Sequence, residues 1–168
     1  MLRQTQRPLR LRPTCPEDLD FVLFLERHPD NRPHILQWSE QGHLAAIKAE
    51  ELEHWIVEKI SDGSPLGYII VYNLVVKGLG VFIKRIVIDN KSRQIGRLAL
   101  QMVLDHAFSE LGATFVSLAV FPDNVRAQRA YKSIGFTDAS LTPQVQGALE
   151  VAVGGFPENI VLMCRFPD

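Results

Sequence analysis

The sequence has little cysteine. Cys15 and Cys164 stand at opposite ends of the 168 residues and form neither a CxxC motif nor the even framework of a small secreted scaffold. Two buried thiols in a reducing compartment are therefore expected. Charge of one sign is lacking too: 18 Lys+Arg stand against 19 Asp+Glu, a net charge of -1. That balance excludes a nucleic-acid binder working through bulk positive charge. No apolar run reaches the roughly 20 residues needed to span a bilayer. The opening MLRQTQRPLRLRP is charged and has no apolar signal-peptide region. A cytoplasmic location is expected, with no membrane and no nucleic-acid partner. The five histidines show neither H-x3-H nor HExxH spacing, so no metal is expected. Repeats and low-complexity tracts are also missing.

What is present reads as one globular domain over 1–168. Hydrophobic residues make up 46% of the chain and charged residues 22%, enough to bury a core without disulfides or metals. Leu9-Arg10-Leu11-Arg12 alternates with period two before Pro13 and reads as a short strand. Pro16 and the acids after it open a helix over 17–27. Pro29 and Pro33 break residues 28–50 into a loop and one or two short helices. His54–Ile60 and Leu66–Leu74 form a hairpin about the turn at 61–65, and Val81–Ile88 is a β-branched strand.

After Asp89 the pattern changes. Arg97, Gln101, Asp105 and Ser109 recur every four residues, one polar stripe on a helix that stops at Gly112. Phe115–Phe121 is an apolar run suited to a buried strand. Asp123 or Asn124 caps the next helix, which Gly135 ends. Phe136 starts a strand, residues 140–158 read as a loop, and Ile160–Phe166 closes the sheet. Three successive strands imply antiparallel pairing, and the later β-α-β unit implies one parallel pair. The fold class is mixed α/β: a mainly antiparallel central sheet of about six or seven strands, flanked by helices.

Two segments carry chemistry. Lys91-Ser92-Arg93-Gln94-Ile95-Gly96-Arg97 lies between a buried strand and a long helix. Free N–H groups at a helix start, with its dipole and three cations beside it, suit a phosphate or diphosphate. The second segment is Asp123 to Phe136. Its helix sets Ala127, Ala130, Tyr131 and Ile134 along one side.

Together these segments resemble the GNAT superfamily of acetyl-CoA-dependent N-acetyltransferases. Asn124, Ala127, Tyr131, Gly135 and Phe136 fill the whole of that family's N-x-x-A-x-x-x-Y-x-x-x-G-F signature. The first segment resembles the family's Q/R-x-x-G-x-G/A loop with departures. Lys91 stands for Gln or Arg, Gln94 for the first Gly, and Gly96 keeps the last position; a second register sets Arg93, Gly96 and Leu98 on those positions. A Gln at the first glycine position requires a loop that tolerates a Cβ, with its side chain turned from the diphosphate.

The resemblance implies the acyl-CoA N-acyltransferase fold, with acetyl-CoA as co-substrate. Pantetheine enters where the 85–88 strand splays from the next parallel strand. Ile86, Val87 and Ile88 then form its wall, and the backbones of Ile86 and Ile88 pair with it. A backbone N–H of this strand polarises the thioester carbonyl. Lys91, Ser92, Arg93, Gln94, Ile95, Gly96 and Arg97 hold the diphosphate. Asn124 bonds the pantetheine arm, beside Ala127, and Tyr131 is the general acid for the departing thiolate. The base is open between His54, Glu58 and a water relay. His54 and Glu58 share one face of their strand.

By the same resemblance His34, Trp38 and His43 lie in the segment that lines the acceptor site, and the 140–158 loop flanks it. The partner is an amine acceptor, a protein or peptide amine or a small molecule. Oligomeric state is open, a homodimer included. The alternative function is an acyl-CoA-binding sensor or interaction module without turnover. Charge divides by segment. Lys77–Arg97 carries six bases and one acid, while Glu40–Asp62 carries six acids and two bases. The first suits an anionic cofactor, the second a cationic acceptor.

Overall fold

The structure is a computed structural model that describes residues 7–89, 92–154 and 158–168. Lys91, Gly155, Pro157 and the Arg93 side chain lie outside the described residues. Among those described, β1 (Leu9–Pro13), α1 (Leu19–Arg27) and α2 (Glu40–Lys48) lead into β2 (Leu52–Lys59), β3 (Pro65–Asn73) and β4 (Val81–Ile88). Then come α3 (Arg93–Asp105), β5 (Val116–Val120), α4 (Val125–Lys132), β6 (Thr137–Asp138), α5 (Pro143–Val153) and β7 (Val161–Arg165). One seven-stranded sheet runs in the order β1-β2-β3-β4-β5-β7-β6. Only β4 and β5 pair in parallel, because the α3 crossover returns the chain to the same end of the sheet. The sheet is thus mixed and mainly antiparallel, as the element pattern implied.

Helix α3 covers one face. Its Ala99, Leu100, Val103 and Leu104 pack on Ile69, Val71, Ile83, Val116, Leu118 and Met163. Helix α4 joins that face through Ala127 and Tyr131. On the other face Leu19, Val22 and Leu25 of α1 meet Ile56, Tyr68, Ile70 and Val87. Beside them, α5 sets Val145, Ala148, Leu149 and Ala152 against Phe82, Phe115 and Leu162. Each large aliphatic side chain buried this way contributes about 1.5–3 kcal/mol.

Two sequence expectations are corrected. Residues 140–158 are not a plain loop: α5 occupies most of them. Thr142 accepts a hydrogen bond from the Val145 N–H, Pro143 opens the helix, and Gly154 ends it in the left-handed conformation. Gly147 within it reads as a breaker, but it permits a close approach. A methyl there would stand 2.9 Å from Leu79 Cδ2. Cys15 is exposed rather than buried, and only Cys164 lies in the core. The Cys15 thiol donates to Asp18 at 3.1 Å, and that carboxylate pushes its pKa up. Burial pushes Cys164 up to about 11.

One irregularity positions the site. Ile70 pairs with Arg85 and Val71 with Ile83, so Lys84 is an extra residue, a β-bulge. It turns two consecutive cations to one face of the sheet. Lys84 Nζ donates to the Ala152 carbonyl at the end of α5 (2.8 Å), and Arg85 reaches Glu26 of α1.

Candidate active site

Strands β4 and β5 pair only over Val81–Ile83 and Val116–Leu118. Beyond those three residues they diverge, and a cavity of about 880 Å³ fills the opening. One wall is the free edge of β4 from Lys84 to Ile88; another is the end of β5. The first turn of α3, the first turns of α4 and the segment after α1 close the rest. Splaying leaves backbone N–H and C=O groups of β4 without a strand partner on that side, a ready edge for an extended ligand.

Helix α3 begins with Ser92 as N-cap, in extended conformation, its Oγ accepting from the Ile95 N–H at 3.4 Å. The N–H groups of a first turn have no carbonyl partners within the helix. Ser92, Gly96 and Arg97 line the cavity here. Gln94 is exposed and does not line it. Ile95 is partly buried against the core under α3.

Helix α4 is capped by Asn124, whose Oδ1 accepts from the Ala127 N–H at 3.2 Å. Of the two caps the sequence allowed, Asn124 serves. Its Nδ2 donors stay available to the cavity that Asn124, Ala127 and Tyr131 all line. The Tyr131 ring packs on Phe136, centroids 5.8 Å apart. Its hydroxyl has no hydrogen-bond partner among the described residues. Burial pushes its pKa up to about 12, so it keeps its proton at neutral pH.

The remaining sequence candidates separate. His34 lines the cavity. His43 is fully buried and does not line it, so it is no acceptor contact. Trp38 lies beneath Arg85, the guanidinium carbon 4.3 Å from the ring centroid, also outside the lining. His54 and Glu58 are buried away from the cavity. Glu58 is held by Arg10 and Arg12, and Arg12 in turn takes Asp18 through both terminal nitrogens at 2.7 and 2.8 Å.

The acidic 40–62 stretch does not supply the acceptor wall either. Glu51 pairs with Lys77, and Glu53 with His106. The carboxylates that line the cavity are Asp30 and Asp123. From the basic stretch, Lys84, Arg85 and Arg97 line it. Burial and the adjacent Arg85 lower Lys84 to about 8.

Sequence reasoning missed a buried polar network behind the β4 wall. Glu26, 1% exposed, accepts from Arg85 Nη1 (2.5 Å), the Tyr68 hydroxyl (2.8 Å) and the Trp38 N–H (3.1 Å). His43 Nε2 stands 3.1 Å from the same carboxylate. Arg85 also donates to the Leu36 carbonyl, which ties the segment after α1 to β4. Burial alone would raise the Glu26 carboxyl, but His43, Arg85 and Tyr68 outweigh it and hold it below the usual range.

The rings continue the network: His43 Nδ1 and His54 Nε2 share a hydrogen bond at 3.0 Å, and His54 Nδ1 and the Thr14 hydroxyl another at 2.8 Å. His43 Nε2 faces the Glu26 carboxylate without a hydrogen bond to it. Burial, with His43 and Arg85, lowers His54 to about 4. The available signal was local: Glu26 falls on the apolar stripe of α1 with Leu19 and Val22, at helical spacing.

A three-layer α/β domain whose one parallel strand pair opens into a cleft beside two capped helices is of the acyl-CoA N-acyltransferase type. The model of the acetyltransferase (GNAT) family matches residues 11–136, and the chain belongs to that family of N-acetyltransferases. Among solved structures, the spermidine N-acetyltransferase of Vibrio cholerae in complex with CoA and spermine superposes with a TM-score of 0.74 at 17% identity, over 95% of each chain. The same enzyme's dodecameric structure in an intermediate state gives 0.70 at 19% identity, over 95% of this chain and 94% of that one. A domain from Methanocaldococcus jannaschii gives 0.72 at 16%, over 95% and 98%. No curated protein matches the sequence. Among the described residues no helix is long and apolar enough to cross a membrane, and no cluster of metal-ligating side chains occurs.

Proposed function

We propose that this protein transfers the acetyl group of acetyl-CoA to a primary amine by direct attack, with Tyr131 protonating the leaving thiolate. One observation carries the reading: a tyrosine whose hydroxyl has no hydrogen-bond partner among the described residues lines the cleft that the free β4 edge and the α3 first turn also line. Pantetheine extends along Ile86–Ile88 and bonds the Asn124 amide. The diphosphate lies on the first turn of α3 at Ser92–Arg97, where backbone dipoles and Arg97 favour an anion. The amine nitrogen bonds to the thioester carbon, the C–S bond breaks, and the sulfur takes the Tyr131 proton. A β4 N–H steadies the oxyanion. Asp30 and Asp123 favour a cationic acceptor in its resting form.

The test is CoA release from acetyl-CoA, read with a thiol reagent across monoamines, polyamines and peptides with a free α-amine. Tyr131→Phe should lower kcat by roughly 10²–10⁴-fold while acetyl-CoA still raises Tm. Undiminished turnover by Tyr131→Phe refutes the acid assignment. Tight acetyl-CoA binding with no thiol release on any amine refutes the transfer and leaves a sensor.

A further inference from the structure

The transfer needs a group that removes a proton from the acceptor ammonium before attack. The two bases suggested by strand position, His54 and Glu58, do not line the cleft. Glu26 behind the wall is sealed by four neighbours. Lys84 lines the cleft, but its Nζ donates to the Ala152 carbonyl. The histidines divide clearly. His43 and His54 do not line the cleft; their rings bond to each other, His54 also to Thr14, and His43 Nε2 stands 3.1 Å from the Glu26 carboxylate. His106 is held between Glu53 and Glu110. His28 Nδ1 accepts from the Asp30 N–H, and His28 does not line the cleft.

His34 differs from all four. It ends the short helical turn Arg32–His34, which is anchored by the buried Asn31 side chain donating to the Leu25 carbonyl at 2.7 Å. It lines the cleft with Tyr131. Its Nδ1 is buried with no hydrogen-bond partner among the described residues, and the nearest carboxylate oxygen paired with it is Asp123 Oδ1 at 3.8 Å. The side chain is 27% exposed.

We propose that His34 is the general base of the transfer and that Asp123 positions it. This rests on the acetyltransferase reading above. A neutral imidazole has one N–H and one lone pair. Asp123 favours the proton on Nδ1, which leaves the Nε2 lone pair facing the acceptor. The ammonium gives its proton to Nε2, the neutral amine attacks the thioester carbon, and Tyr131 gives its proton to sulfur as the C–S bond breaks. The imidazolium beside Asp123 returns its proton to solvent through the open cleft, and Tyr131 is reprotonated from solvent. The 3.8 Å separation is the looseness expected of a dyad before substrate closes the site. Asp123 immediately precedes the Asn124 cap, so one turn sets the positioning carboxylate, the pantetheine contact and the helix that carries Tyr131.

The experiment is kcat/KM against pH for wild type, His34→Gln and Asp123→Asn, with a polyamine as acceptor. Charged groups that share the cleft with His34 are Asp30 and Asp123, Lys84 and Arg85 of β4, Arg97 of α3, and Arg126 and Arg129 of α4. Acetyl-CoA should still raise the Tm of both variants, which shows that they fold and bind. His34→Gln should lose about 10²-fold at pH 7 and regain most of it where the amine is itself neutral, so its acid limb moves to the acceptor's own pKa. Asp123→Asn should lose about 10-fold in kcat/KM at pH 7. Imidazole added to His34→Ala should restore part of the rate.

A His34→Gln profile that keeps the wild-type acid limb, within about 3-fold in rate, overturns the assignment while leaving acetyl transfer intact. A wild-type protein that releases no CoA with any amine overturns the transfer reading, and the base with it.

Discussion

Replacing Glu26 by Gln should destabilise the fold by several times the cost of breaking a surface ion pair. The substitution exchanges one carboxylate oxygen for an amide nitrogen and barely alters volume. Its effect is electrostatic. Both Glu26 and the Arg85 side chain are almost fully buried, 1% and 4% exposed. Three groups, from Arg85, Tyr68 and His43, converge on Oε1, and the Trp38 N–H takes Oε2. An amide turned either way brings an N–H against at least one donor, and the guanidinium loses its countercharge. Breaking a buried pair from one side costs about 3–5 kcal/mol. A domain of this size has about 5–15 kcal/mol in total. The expected shift is a Tm lower by roughly 6–20 °C, with a matching fall in urea midpoint at unchanged slope.

The partner control is the Glu26→Leu/Arg85→Met double variant. Removing both charges should recover a large part of the loss, with a coupling of about 1–3 kcal/mol in a double-mutant cycle. Because Arg85 also holds the Leu36 carbonyl and underlies the cleft wall, Glu26→Gln should weaken acceptor binding as well. A Glu26→Gln protein within about 1 kcal/mol of wild type would refute the reasoning. It would mean that the pair is solvated like a surface bridge.

Other expected outcomes follow from single contacts. Asn124→Ala should lose about 1 kcal/mol of stability with its cap and also bind CoA less tightly. Asn124→Asp keeps the capping oxygen, so its urea midpoint should stay near wild type while CoA affinity falls. Acid unfolding should come in two stages. His54, lowered to about 4 in the fold, takes its proton more readily when unfolded, so stability falls as pH drops from about 6.5 toward 4. Asp18, held at about 2 chiefly by Arg12, adds stability that is full above pH 4 and disappears as pH falls toward 2. His54→Asn should flatten the first stage and Asp18→Asn the second, read as urea midpoints against pH.

The sequence disclosed most where a local rule and the tertiary context agree. The run 124–136 defines its helix start and the tyrosine in the cleft, because capping and helical spacing act within a few residues; the helix itself ends at Lys132, and Gly135 makes the left-handed turn just beyond it. The three antiparallel strands and the single parallel pair were legible from period and connection length. Helix α5 was hidden because Gly147 and Gly154 read as loop, although Thr142 and Pro143 mark a helix start. The role of Gly147 depends on Leu79, 68 residues away in the chain. Glu26 and Arg85 were hidden for a related reason. A charge within an apolar pattern looks like an exposed position until the opposing charge is known. His54 and Glu58 share a strand face as expected, but no local rule states that this face ends at Thr14 and Arg12 rather than at the cleft.

The bulge at Lys84 acts as a phase change in β4. Side chains along a strand repeat every two residues, and one extra residue reverses which face each later residue takes. Were Lys84 drawn into the regular ladder, Arg85 would turn toward the apolar bed of α3, and Ile86 would meet Glu26. Deleting Lys84 has the opposite result: Arg85 then follows Ile83 directly, falls opposite it, and still faces Glu26. The deletion and Lys84→Ala therefore both remove one amine from the end of α5 and leave the faces of the cleft wall in place. Looping out one residue, whatever its side chain, is what keeps the guanidinium and the carboxylate on the same side of the sheet.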